Sequence, residues 1–234
     1  RLRALRILPS SSQRLRRGTI VGRRLQREAV AAQVESGARL ITVLGTAGVG
    51  KTRLALELAE DLRPEFSRAV FCNLTEATDP MEVMLHLSRA LNVRLRDTDP
   101  AIHLQEVLSA QPTLLVLDNL EQIAAVVGSM ITDWLRCCES LRVMGTSRQK
   151  LGIEKEVVVS VEPLSLLEGV DLFVRRGQVA DQRFDLQPDN RETVCSLVNK
   201  LDGLPLAIEL AAARLNIFDL DELLQRLDER FSLL

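Results

Sequence analysis

The segment Gly45-Thr46-Ala47-Gly48-Val49-Gly50-Lys51-Thr52 has the spacing G-x-x-x-x-G-K-[ST] and follows a short apolar run, Leu40–Leu44. Glycines in such a loop let the chain wrap until successive backbone N–H groups converge on one anion, and the helix that follows adds its positive end. Lys51 would then reach the β- and γ-phosphates of a nucleotide, and the Thr52 hydroxyl would ligate Mg²⁺. Gly45, Thr46, Ala47, Gly48, Val49, Gly50, Lys51, Thr52 and the adjoining Arg53 are therefore the expected phosphate-binding set. A turn that only joined a strand to a helix would not need Lys-Thr at that offset.

A phosphate loop also needs an acid for magnesium, at the carboxyl end of another parallel strand that faces the same crevice. The run Thr113–Leu117 ends in Asp118, which with Thr52 forms the expected metal pair. Asn119 follows, and an amide cannot take a proton from water. Glu121 is a substitute base on one reading and a first-turn helix acid on the other. Arg148, in Thr146-Ser147-Arg148, is placed to contact a γ-phosphate, the alternative being a surface arginine at a strand end.

Positioning these groups requires a sheet. Five runs rich in Val, Ile and Leu read as strands: Leu40–Leu44, Ala69–Leu74, Thr113–Leu117, Leu141–Met144 and Val157–Val161. Helical periodicity at Gly22–Val34, Lys51–Leu62, Pro80–Leu91, Ile102–Leu108 and Glu121–Cys138 separates most of them. Such alternation predicts a parallel five-stranded sheet covered by helices on both faces, an α/β three-layer domain. After Pro163 only helices are expected, three of them opening with acceptor-x-x-Glu capping boxes: Ser165/Glu168, Asp189/Glu192 and Asp219/Glu222. A fourth opens at Gly203-Leu204-Pro205. The expected organisation is a basic linker at 1–18, a nucleotide-binding domain at 19–162 and a small helical lobe at 163–234.

Composition agrees with an ordinary globular chain: 234 residues, 46% hydrophobic and 26% charged, with only 12 Gly and 8 Pro, exclude collagenous and disordered classes. No apolar run approaches the ~18–20 residues of a membrane span, since even Leu204–Ala213 is interrupted by Glu209. No secretory pattern follows the early arginines, so a cytoplasmic setting is expected. Cys72, Cys137, Cys138 and Cys195 read as buried structural thiols. Nine arginines precede the first acid, Glu28, and the remaining 21 basic and 32 acidic residues carry −11. That basic start admits nucleic acid as a partner, but 3% aromatics and no Tyr leave no base-stacking platform, and a solvated linker is the expectation. Without an initial Met, and stopping at Phe231-Ser232-Leu233-Leu234, the chain is expected to be a segment of a longer protein.

With these motifs the chain resembles the STAND class of signal-transduction NTPases, and within it the NB-ARC-like ATPases of bacterial transcriptional regulators. The resemblance runs from Thr19 to Leu234 and rests on Ile20-Val21-Gly22-Arg23, the phosphate loop, Leu115-Val116-Leu117-Asp118-Asn119, Gly145-Thr146-Ser147-Arg148 and Gly203-Leu204-Pro205-Leu206-Ala207. It implies that Val21, Gly22 and Arg23 contact the base or sugar and that Pro205 closes over the nucleotide. It also implies that the Thr-Ser-Arg strand lies between the phosphate-loop strand and the Asp118 strand. Many relatives carry a second acid where this chain has Asn119. The implied function is an ATP/ADP switch with slow hydrolysis, acting on effector and sensor domains outside these residues and open to nucleotide-dependent self-association. Competing readings are a DNA-remodelling initiator of the AAA+ type and a phosphate-loop kinase, for whose acceptor the sequence offers no pocket or lid.

Overall fold

The computed structural model describes residues 20–96 and 99–231; the basic linker expected at 1–18 lies outside them. Contacts divide the described chain into two compact units. One comprises Arg23–Gly45 and Lys51–Val161, the other Ile20–Gly22, Thr46–Gly50 and the part from Glu162 onward.

The first unit runs α1 (Arg24–Glu35), β1 (Leu40–Leu44), α2 (Lys51–Leu62), β2 (Arg68–Asn73), α3 (Pro80–Leu91), α4 (Pro100–Ser109), β3 (Thr113–Asp118), α5 (Ala124–Cys137), β4 (Leu141–Ser147) and β5 (Glu156–Ser160). All strand pairs are parallel, in the order β2-β3-β4-β1-β5. β4 thus lies between the phosphate-loop strand and the Asp118 strand. Every residue of β3 is buried, as expected of an inner strand with helices over both faces. Leu115, Leu117, Val143 and Leu40 pack with Val127, Ile131 and Trp134 of α5 and Leu87 of α3 in one apolar core.

Several boundaries depart from the sequence expectation, three of them with a clear physical reason. β4 extends to Ser147 instead of ending at Met144, because Thr146 and Ser147 pair with Val43 and Leu44 of β1. Their hydroxyls hide a strand that apolar patterning cannot reveal. α1 starts at Arg24, since Gly22 before it has φ +67°, outside the helical region. The helix expected from Glu121 to Cys138 is split into a single 3₁₀ turn at Leu120–Gln122 and α5, with Ile123 at the break. Fully buried Leu120 holds that turn against Gly145, where a Cβ would come 2.6 Å from Leu120 Cδ1.

The second unit contains α6 (Leu166–Ala180), α7 (Arg191–Lys200), α8 (Pro205–Ala212) and α9 (Leu220–Phe231). Phe173, Val194, Leu197, Val198 and Ile208 form its core. Ser165 and Glu168 close a full capping box at α6, and Asp219 Oδ1 accepts the Glu222 N–H at 2.8 Å before α9. The box expected at Asp189/Glu192 does not form. Asn190 precedes α7, with its Oδ1 taken by the Gln187 N–H and its Nδ2 donating to the Asp185 carbonyl, so local turn bonds displace the cap. No helix among the described residues is long and apolar enough to cross a membrane.

Candidate functional site

Parallel strands with α crossovers expose their carboxyl ends along one edge, and polar residues gather there in the first unit. Asp118, 3% exposed, ends β3. Its Oδ1 accepts the Thr52 hydroxyl of α2 at 2.7 Å and the Thr146 hydroxyl of β4 at 2.5 Å, and its Oδ2 accepts Asn119 Nδ2 at 3.1 Å. Three donors, from α2, from β4 and from the residue after β3, fix the carboxylate. The Thr52–Asp118 pair offers hard oxygen ligands of the kind Mg²⁺ takes when it shares a site with phosphates.

Asn119 adopts a left-handed conformation, φ 65°. Its backbone N–H donates to Thr146 Oγ1 at 3.0 Å, and its side-chain amide also donates to Thr75 Oγ1 at 2.8 Å and Asn73 Oδ1 at 3.4 Å. Thr75 in turn donates its hydroxyl and backbone N–H to Asn73 Oδ1, at 2.6 and 2.9 Å. Asn119 is thus a linker of the β2, β3 and β4 ends.

Lys51, the first residue of α2, is 8% exposed. Burial pushes its ammonium below the usual lysine range; Glu121 and Asp118 oppose that shift and Arg148 adds to it. Arg148 lies just past β4 with its side chain 61% exposed, and its Nε is 2.9 Å from Glu121 Oε1. The Glu121 side chain is only 15% exposed, and its Oε2 is buried without a hydrogen-bond partner. Gln149 Nε2 donates to the Glu121 carbonyl at 3.4 Å.

Within the second unit, Gly48 and Gly50 hold φ of +77° and +96°, which glycine adopts without strain. Val49 between them is fully buried, and Thr46 and Ala47 are exposed. The Gly48 carbonyl accepts the Leu206 N–H at 3.2 Å. Leu206 is the second residue of α8, where N–H groups have no partner within the helix, and it directly follows Pro205. Val21 packs on the helical core and Gly22 lies against the Glu168 side chain. Arg23 counts with the first unit and is 4% exposed. Gly45, at the end of β1, donates its N–H to the Ser147 carbonyl at 3.2 Å. Arg53, in the first turn of α2, is half-buried.

The structure therefore gathers Lys51, Thr52, Asp118, Glu121 and Arg148 in one unit. Sequence reasoning missed that Thr146 holds Asp118, and that Asn73 and Thr75 hold Asn119. A hydroxyl at the end of an apolar strand was the available signal for Thr146; none marked Asn73, which reads as part of a strand.

A family profile described as "AAA domain" matches residues 33–153. An uncharacterized protein of Mycobacterium tuberculosis is 35% identical over 218 residues, 92% of this chain and 55% of that protein. A putative HTH-type transcriptional regulator of the same species is 32% identical over 200 residues, 84% of this chain and 22% of the regulator. The chain thus spans about half the length, or less, of these curated relatives. Among solved structures, Cdc6p from Pyrobaculum aerophilum matches with TM-score 0.63 at 16% identity, covering 88% of this chain and 62% of that one. A STAND protein with a tetratricopeptide repeat sensor from Pyrococcus horikoshii matches with TM-score 0.54 at 17% identity, covering 90% and 32%. At these identities the likeness to solved structures concerns the fold.

Proposed function

The chain belongs to the AAA domain family, and on that premise we propose that it is the ATP- and ADP-binding switch module of a larger signalling or transcriptional regulator. The observation that carries the reading is the 2.7 Å hydrogen bond from Thr52 Oγ1 to Asp118 Oδ1, directly after the glycine-rich loop and Lys51. Loop N–H groups of 45–50 bind the phosphate oxygens, and Lys51 neutralises charge on the β- and γ-phosphates. Thr52 and Asp118 hold Mg²⁺, which when bound supplies charge neutralisation at the phosphates. As the family resemblance implies, Val21, Gly22 and Arg23 take the base and sugar, and Pro205 closes over the nucleotide.

Slow hydrolysis is part of the reading. The Asn119 amide spends its donors on Asp118, Thr75 and Asn73, and so orients neighbours instead of accepting a proton. A switch needs differential affinity between two states more than turnover. The name of the putative HTH-type regulator supports a regulatory output; sensor and effector domains of the same chain, nucleotide-dependent self-association and a cytoplasmic setting belong to the same proposal. The initiator-type reading rests on likeness of fold and on the basic residues 1–18.

Mass spectrometry of nucleotide released from denatured protein, with calorimetric titration of Mg·ADP and Mg·ATP, tests the reading. Adenine nucleotide is expected in both. A chain that retains and binds none is not a nucleotide switch.

A further inference from the structure

We propose that Glu121 sets the preference between nucleoside diphosphate and triphosphate, by holding Arg148 in an ion pair that a terminal phosphate must displace. This rests on the nucleotide reading above and deepens it by naming the resting partner of Arg148 and the anion with which a third phosphate competes.

The pair is asymmetric. Glu121 is fixed: it stands in the 3₁₀ turn whose Leu120 is fully buried against Gly145, and its carboxylate is largely buried. Arg148 is the movable member, largely exposed and joined to Glu121 Oε1 through Nε. A phosphate offers a guanidinium two parallel hydrogen bonds, a stronger arrangement than a contact to one carboxylate oxygen. Exchange of Arg148 from Glu121 to a γ-phosphate is therefore favourable once that phosphate is present, and a diphosphate leaves the pair intact.

Glu121 also acts on the site through Lys51, whose downward shift by burial its carboxylate opposes. Its buried Oε2 has no hydrogen-bond partner, so withdrawal of Arg148 leaves this carboxylate poorly compensated, a cost that only exchange to a third phosphate incurs. Neutralising Glu121 removes that cost. The part acting through Lys51 is common to both nucleotides; the part acting through Arg148 discriminates between them.

The test is calorimetric titration of Mg·ADP and of the magnesium complex of the non-hydrolysable β,γ-imido analogue of ATP, on wild type, Glu121→Gln, Arg148→Ala and the double variant. Glu121→Gln should tighten the imido analogue about fivefold more than ADP, the size expected of a partly exposed ion pair. That extra gain should vanish when Arg148 is Ala. Equal gains for the two nucleotides, or an extra gain that persists without Arg148, overturn the proposal. Glu121→Asp, which keeps the charge but shortens the reach, should move the ratio in the same direction by less; an unchanged ratio there overturns it as well. Wild type that binds ADP with these outcomes removes the latch alone, whereas wild type that binds neither nucleotide removes the nucleotide reading and the latch with it.

Discussion

The Thr146 hydroxyl lies 2.5 Å from Asp118 Oδ1, fully buried between β3 and β4, and at the same time accepts the Asn119 N–H. One side chain thus satisfies a buried carboxylate and a backbone donor just past the neighbouring strand. Replacing it with the isosteric valine removes both bonds while keeping the volume. Thr146→Val is expected to cost about 1–3 kcal/mol of stability, the usual penalty for leaving buried polar groups unpaired, and to weaken Mg·ADP binding. Thr146→Ser should keep most of both. Urea unfolding and calorimetry of the two variants check this; a neutral Thr146→Val would mean that water replaces the hydroxyl.

Lys51→Ala should abolish most of the stabilisation that nucleotide gives. For the wild type, Mg·ADP at ~1,000 times its dissociation constant should raise stability by about 4 kcal/mol. Thermal melts with and without Mg·ADP read both. An equal nucleotide shift in the variant would remove Lys51 from the site.

Wild type should hydrolyse ATP below the ~10 s⁻¹ typical of enzymes, because Asn119 donates where a base would accept. Asn119→Asp should not restore a base. Its carboxylate would face Asp118 Oδ2, Thr75 Oγ1 and Asn73 Oδ1, all now served by the amide. The expected result is a loss of about 1–3 kcal/mol with no rise in phosphate release under single-turnover conditions. A stable, faster variant would show that the network is not what limits hydrolysis.

Burial pushes the Cys72 thiol from 9.0 up to about 12. The unfolded chain therefore gives up this proton at lower pH than the native one. The native state binds more protons between these values, so stability is unaffected below pH 9.0 and falls as pH rises from 9.0 toward about 12. Urea midpoints of wild type and Cys72→Val across that range should show wild type losing more. In native protein a thiol reagent should label exposed Cys137 and spare Cys72.

Gly203 has φ +62°, and a Cβ there would come 2.3 Å from the Leu164 carbonyl oxygen, which is backbone and has no rotamer in which to retreat. Gly203→Ala should destabilise the helical unit by at least about 1–3 kcal/mol. Circular dichroism during urea unfolding measures it, and wild-type behaviour would show that the turn before α8 shifts freely.

The phosphate loop was legible because its chemistry is local. Glycines, Lys51 and Thr52 must be adjacent for one loop to wrap an anion, so their spacing is written in the chain. Asp118 was legible for a related reason: an apolar run ending in a carboxylate marks an inner parallel strand and its carboxyl end. Ser165/Glu168 was likewise local, three residues apart across one helical turn. Asp189/Glu192 has the same pattern and failed because Asn190 has better partners in its own turn.

What Asp118, Asn119, Glu121 and Arg148 do to one another was not written locally. Sheet order decides which strand ends are neighbours, and that order depends on how distant strands bury their apolar faces together, not on spacing along the chain. Placing β4 between β1 and β3 brings Thr146 to Asp118, and β2 beside β3 brings Asn73 and Thr75 to Asn119. The break before α5 leaves Glu121 in a 3₁₀ turn of its own, where it pairs with Arg148. The sequence by itself determined the chemical groups and the strand ends that carry them; tertiary packing alone decided their partners, because hydrogen bonds and ion pairs act over about 3 Å, a distance that only the packed sheet sets between residues far apart in the chain.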